Sequence, residues 1–165
     1  MDDRVFREYD IRGVAGRELT EDFALTLGKS FGSFLRSVNP GAKWVSVGRD
    51  SRLSSRSLAS NVIRGISSTG INAYDIGLCA TPLQYFSLHH LDLDGGIMVT
   101  GSHNPPEYNG FKLSIGEETI FGEEIQKLKV IMKKRKWSES GQQGVVKHYD
   151  IVRAYVEFMK ERFSY

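Results

Sequence analysis

Short apolar runs alternate along this chain with helical stripes, and this alternation constrains the fold more than any other feature. Residues 43–48, 71–76 and 96–99 are brief apolar stretches, two of them closed by glycine or turn residues, as buried strands are. Between them, Thr20 caps a helix running to about residue 36, with Phe23, Leu27, Phe31, Phe34 and Leu35 on one stripe, and the Asn39-Pro40-Gly41 turn stops it. A second helix over about residues 55–69 carries Leu58, Val62 and Ile66 at four-residue spacing and ends at Gly70. Thr81-Pro82 reads as an N-cap and first-turn proline of a third helix, and a fourth spans about residues 123–136. Strands that alternate with helices pair through crossovers, so the expected fold class is α/β: a three-layer α/β/α sandwich with a mainly parallel mixed sheet. Functional residues of such sheets gather at the strands' carboxyl ends, where Arg49 and Ser102 fall.

Residues 100–112 read TGSHNPPEYNGFK. Gly101 permits the positive φ of a sharp exit turn, and Pro105 holds Asn104 away from the α region. Asn109-Gly110 is a turn signal, after which Phe111, Leu113 and Ile115 alternate with Lys112 and Ser114 as in a strand with one buried face. A serine hydrolase is disfavoured: GxSxG is absent, and the side chains of Ser102 and His103 diverge if the loop is extended. The better reading is that Ser102 carries a phosphoryl group, an anion with three acceptor oxygens that His103, Asn104 and Lys112 can serve. The bland alternative is an Asn-Pro turn with incidental polar residues.

With those residues in view, the chain resembles the α-D-phosphohexomutases, the phosphomannomutase and phosphoglucomutase group. The long run resembles their phosphoserine loop, and FREYDIRG (residues 6–13), VGRDSRLS (47–54) and the weaker GLCATP (77–82) follow the family's order. The resemblance implies that Ser102 lends a phosphoryl group to convert hexose 1-phosphate and hexose 6-phosphate through a bisphosphorylated sugar. His103 and Lys112 would assist proton transfer and charge neutralisation, and Arg12 would neighbour Lys112 and help lower its pKa from the reference of ~10.4. Tyr9, Asn104 and Arg49 would contact substrate or phosphate. The alternative for Arg12 is a loop arginine paired with Asp10. For Asp50, with Arg52 beside it, the alternative is a carboxylate that simply ties down its turn.

The resemblance also implies Mg2+ held through the phosphate on Ser102, with its remaining ligands absent from this chain, and a glucose 1,6-bisphosphate-type activator. Asp92-Leu93-Asp94-Gly95 reads as an Asp-Gly turn, not as the family's metal loop. The expected partners are hexose phosphates and the missing carboxyl-terminal domains of the same enzyme. Residues 1–150 would form the phosphoserine domain and 151–165 the opening helix of a truncated second one, since Ile151, Val152, Tyr155, Val156, Met159 and Phe163 make an apolar stripe that needs a partner. Two further readings stay open: a non-catalytic sugar-phosphate binding module, and a serine-dependent phosphatase.

The charge balance, 22 basic against 20 acidic side chains for a net +2, calls for neither nucleic acid nor a membrane surface. The start lacks a signal-peptide pattern and no apolar run approaches membrane-spanning length, so a cytoplasmic protein is expected. Cys79 reads as a small buried side chain, His89 and His90 point in different directions on a helix, and the basic run 133–136 reads as a solvated helix end.

Overall fold

In a computed structural model, which describes residues 1–137 and 140–163, a 3-10 turn at Asp3–Val5 leads into an alternating series. The elements are β1 (Ile11–Val14), α1 (Glu21–Val38), β2 (Trp44–Arg49), α2 (Ser55–Ser68), β3 (Asn72–Leu78), α3 (Thr81–His90), β4 (Gly95–Val99), β5 (Tyr108–Ile115), β6 (Glu118–Thr119), α4 (Glu123–Lys134), β7 (Val146–His148) and α5 (Ile151–Arg162). They form a 7-stranded sheet in the order β1-β5-β4-β2-β3-β7, with β6 pairing β5. β4, β2, β3 and β7 pair in parallel, while β5 is antiparallel to β4, β1 and β6. Among the described strands β5 alone therefore runs against the rest, as a mainly parallel mixed sheet requires.

Thr20 caps α1 as its sequence predicts, its hydroxyl accepting from the Phe23 N–H at 3.1 Å. The stripe behind it is buried with the inward positions of α2 and α4, and these three helices cover one face of the sheet with Val45, Val47, Ile97, Val99, Phe111 and Leu113. Aromatic packing ties the layers, Phe23 stacking on Phe111 at 6.1 Å between ring centres. The opposite face is covered by α3 and α5 over Ile76, Cys79 and Met98. β4 is buried along its whole length because it lies between β5 and β2 with helices on both sides.

Three local expectations are corrected. The FREYDIRG segment contributes a strand, β1, where a loop is expected, because it finds an antiparallel partner in β5 that lies about a hundred residues away in sequence. Asn109-Gly110 lies inside β5 and is no turn: Gly110 faces Arg12 across the ladder, and a Cβ there would meet the Ile11 carbonyl at 2.6 Å and that of Thr100 at 3.0 Å. Thr81 is the first residue of α3, and the cap position belongs to Ala80, without a side-chain hydrogen bond.

Asp94 fixes the start of β2, its carboxylate accepting from the N–H groups of Lys43 and Trp44 and from Asn39. The DxD run is thus a structural turn. On α5, capped by Asp150, Ile151 is buried and Tyr155 and Phe158 pack on Phe86 of α3. Val152, Val156 and Phe163 of the same stripe remain exposed. No described helix is long and apolar enough to cross a membrane.

Candidate active site

Ser102 lies just beyond the carboxyl end of β4, exposed, with φ 53. The left-handed residue is the serine, not Gly101 as the sequence suggests. Its N–H donates to the Thr100 hydroxyl at 2.9 Å, and Asn104 closes the turn through two bonds to the Gly101 carbonyl, N–H at 3.0 Å and side-chain amide at 2.8 Å. Gly101 is small for a different reason, since a Cβ there would collide with the Arg52 guanidinium that lies against it.

The left-handed turn has a chemical consequence. Ser102 Oγ and His103 Nδ1 lie 3.3 Å apart, so the divergence expected of adjacent side chains on an extended loop does not occur. His103 is therefore within reach of the serine proton. Among the described residues no carboxylate pairs with His103 to orient it, so a hydrolase triad is not assembled.

Arg12 and Lys112 meet at a common anion. Arg12 Nη2 donates to Asp10 Oδ2 at 2.6 Å and Lys112 Nζ reaches the same oxygen at 3.5 Å. The Asp10 pairing weighed from the sequence as an alternative for Arg12 is present, and it joins the two predicted cations. The ladder explains how: Arg12 pairs with Gly110 on β5, two positions from Lys112, which itself pairs with Met98 on β4. Side chains two apart share a face, so Arg12, Lys112 and Met98 lie on the α3 side of the sheet.

Met98 also floors a cavity of about 390 Å3, lined among others by Ser102, Asn104, Cys79, Thr81, Asp50 and Arg52. The amino end of α3, with Ala80 and Thr81, opens into this cavity, and a helix amino end favours an anion. The GLCATP run, weak as a motif, thus supplies the floor and a helix terminus to the site. Burial pushes the Cys79 thiol up to about 11, which leaves it an inert, protonated part of that floor.

Of the predicted site residues, Ser102 and Asn104 line this cavity, while His103, Arg12, Lys112, Arg49 and Tyr9 are not among its lining residues. Alternation along β2 places Arg49 on the face of Val45 and Val47, opposite that of Lys112. Tyr9 is exposed, its ring against Phe121 at 6.3 Å, and does not line the cavity.

Asp50, one residue past β2, accepts from the N–H groups of Arg52 and Gly101, both at 3.1 Å, and from the Ser55 hydroxyl. Burial pushes its carboxyl up, but hydrogen bonds from Ser55, Arg52, Thr100 and Gly101 outweigh this and hold it below the ordinary carboxylate value. Buried Asn109 extends the network, its amide donating to the hydroxyls of Ser54 at 2.8 Å and Ser55 at 2.9 Å. Sequence reasoning missed Asn109 because its partners lie more than fifty residues away. Among the described residues no cluster of three or more His, Cys, Asp or Glu side chains is placed to hold a metal ion.

The family model for phosphoglucomutase/phosphomannomutase, alpha/beta/alpha domain I, matches residues 3–139. A phosphoglucomutase of Neisseria meningitidis serogroup B is 40% identical over 153 residues, covering 93% of this chain and 33% of the relative. A phosphomannomutase/phosphoglucomutase of Pseudomonas aeruginosa is 39% identical over 157 residues, with 95% and 33% covered. Among solved structures, a phosphoglucomutase/phosphomannomutase family protein from Burkholderia thailandensis superposes with a TM-score of 0.87 at 36% identity, covering 95% of this chain and 35% of that one. The chain spans about a third of the length of the relatives it matches.

Proposed function

The chain belongs to the phosphoglucomutase/phosphomannomutase family as its α/β/α domain I, and from that premise we propose that Ser102 is the phosphoryl carrier of a hexose phosphate mutase. The observation that carries this reading is the position of its hydroxyl: exposed, beside His103, on a cavity that α3 enters with its amino end.

In the first half-reaction a sugar hydroxyl oxygen attacks the phosphorus of phosphoserine in line, and in the second the serine oxygen attacks a phosphorus of the bisphosphorylated sugar. In the first, the P–Oγ bond breaks as the new O–P bond forms, and the proton leaving the sugar hydroxyl ends on the serine oxygen; the second reverses this and reloads the serine. His103 Nδ1 is the group near enough to hold that proton at Oγ. Arg12 and Lys112, fixed by Asp10 on the same sheet face, supply positive charge for the oxygens that gain charge in transit.

Residues 1–150 make the phosphoserine domain on this reading. Residues 151–165, of which 164 and 165 lie outside the described structure, open a second domain whose continuation would grip the sugar. Mg2+ belongs to the same proposal as a counter-ion of the phosphate on Ser102, and among the described residues no cluster of three or more His, Cys, Asp or Glu side chains would hold it without that phosphate. Hexose 1,6-bisphosphate would serve as the activator that loads the serine.

Turnover separates the readings. The chain is joined to the remaining two thirds of a relative and given glucose 1-phosphate or mannose 1-phosphate. A mutase yields the 6-phosphate, and yields none in Ser102→Ala. Release of inorganic phosphate without the isomer would mark a phosphatase, and tight sugar-phosphate binding with neither product would mark a binding module.

A further inference from the structure

Arg52 lies in the VGRDSRLS run, outside the residues that sequence reasoning assigns to the site, yet its side chain is mostly buried, 14% exposed. A guanidinium has five N–H donors in a rigid plane. Here each finds an acceptor. Nε donates to Asp50 Oδ2 at 3.2 Å. Nη1 donates to the carbonyls of Pro105 at 2.6 Å and Tyr108 at 3.0 Å, and Nη2 to those of Ser102 at 3.0 Å and Asn104 at 2.7 Å. The loop that bears Ser102 is thus gathered onto one cation through four of its own carbonyls.

With every donor engaged, Arg52 has none left for a phosphate. We propose that Arg52 is instead the positioning residue of the Ser102 loop, acting through the backbone; this rests on the reading of Ser102 as a phosphoryl carrier. Two physical effects follow from the geometry. The carbonyl oxygens, each a partial negative charge, are paired with the guanidinium, which offsets their charge beside the cavity where an anionic phosphoryl group would sit. The backbone at Ser102, left-handed at φ 53, is held by the bond to its own carbonyl and by those to Asn104 and Pro105 that follow. A non-glycine residue keeps such a conformation only where its surroundings over-determine it. Asp50 completes the clamp, joining the Arg52 Nε to the Gly101 N–H at the loop's entry.

Lysine makes a sharp test, because it keeps the charge but offers three donors without the planar fork. Wild type, Arg52→Lys and Arg52→Ala, each joined to the remaining two thirds of a relative, are compared by amide hydrogen exchange and by the rate at which glucose 1,6-bisphosphate phosphorylates Ser102. The expected result is that loop amides at Ser102 and Asn104 exchange roughly tenfold faster in both variants while those of α1 and α2 are unchanged. Loading falls about a hundredfold in Arg52→Ala, Arg52→Lys recovers little of it, and added guanidinium at millimolar concentration restores part of it to the alanine variant. Wild-type loading in Arg52→Lys with an unchanged loop would overturn the proposal, as would faster exchange spread evenly through α1 and α2. If wild type itself accepts no phosphoryl group, the reading of Ser102 fails, while loop exchange still judges Arg52: faster exchange confined to the loop upholds the anchor, and unchanged exchange overturns it.

Discussion

Ser102 Oγ stands 3.3 Å from His103 Nδ1, and the two neighbours meet only because the serine backbone is left-handed, at φ 53. An L side chain at that φ carries a steric cost that glycine does not. Replacing Ser102 by glycine should therefore leave the protein about 1 kcal/mol more stable than replacing it by alanine, measured by urea unfolding. Equal stability of the two variants would mean that the turn is not strained as described.

Gly101 occupies the space next to the Arg52 guanidinium, and a methyl group there has nowhere to go without breaking the bonds that hold that side chain. Gly101→Ala should cost about 1–3 kcal/mol, the usual penalty of overpacking a filled site. The shift should be seen in the urea midpoint with an unchanged denaturant slope.

Asp50 has a definite sign in its pH dependence. Its folded pKa lies below the reference value of 3.8, so its stabilising contribution is complete above that pH and is lost as pH falls through the folded value. Stability curves of wild type and Asp50→Asn should run apart near neutrality and converge below about pH 4. A constant gap from neutrality to pH 3 would contradict the hydrogen-bonded carboxylate.

Cys79 lies 8% exposed on the cavity floor with its thiol raised to about 11 by burial. At pH 8 only roughly one thiol in a thousand would be ionised. Iodoacetamide should leave the folded protein unlabelled and label it promptly once it is unfolded in urea, as intact mass can follow.

Much of this arrangement was legible in the sequence because it is local. The helix stripes, the Thr20 cap and the strand before Ser102 each follow from a few adjacent residues, and the structure has them close to the expected places. What was not legible depends on partners distant in the chain. β1 exists because of β5, Gly110 is a close approach to Ile11 and not a turn, and Asn109 finds Ser54 and Ser55. The same limit hid Arg52, whose acceptors sit about fifty residues downstream. Arg49 is at the expected strand end, and the β2–β4 register sets its Cα on the face of Val47 and Val99, a detail that strand ends alone do not give. A positive φ at a serine directly after a glycine has no signature in propensity, so the Ser102–His103 contact could come only from coordinates.

The most direct measurement is peptide mapping by mass spectrometry after the chain, joined to the remaining two thirds of a relative, is incubated with glucose 1,6-bisphosphate and Mg2+. A single phosphoryl group on the Ser102 peptide, lost in Ser102→Ala and kept when the exposed Ser51 is replaced instead, is the predicted outcome. A phosphoryl group that persists in Ser102→Ala, or one that maps to another residue, would contradict the account at its centre.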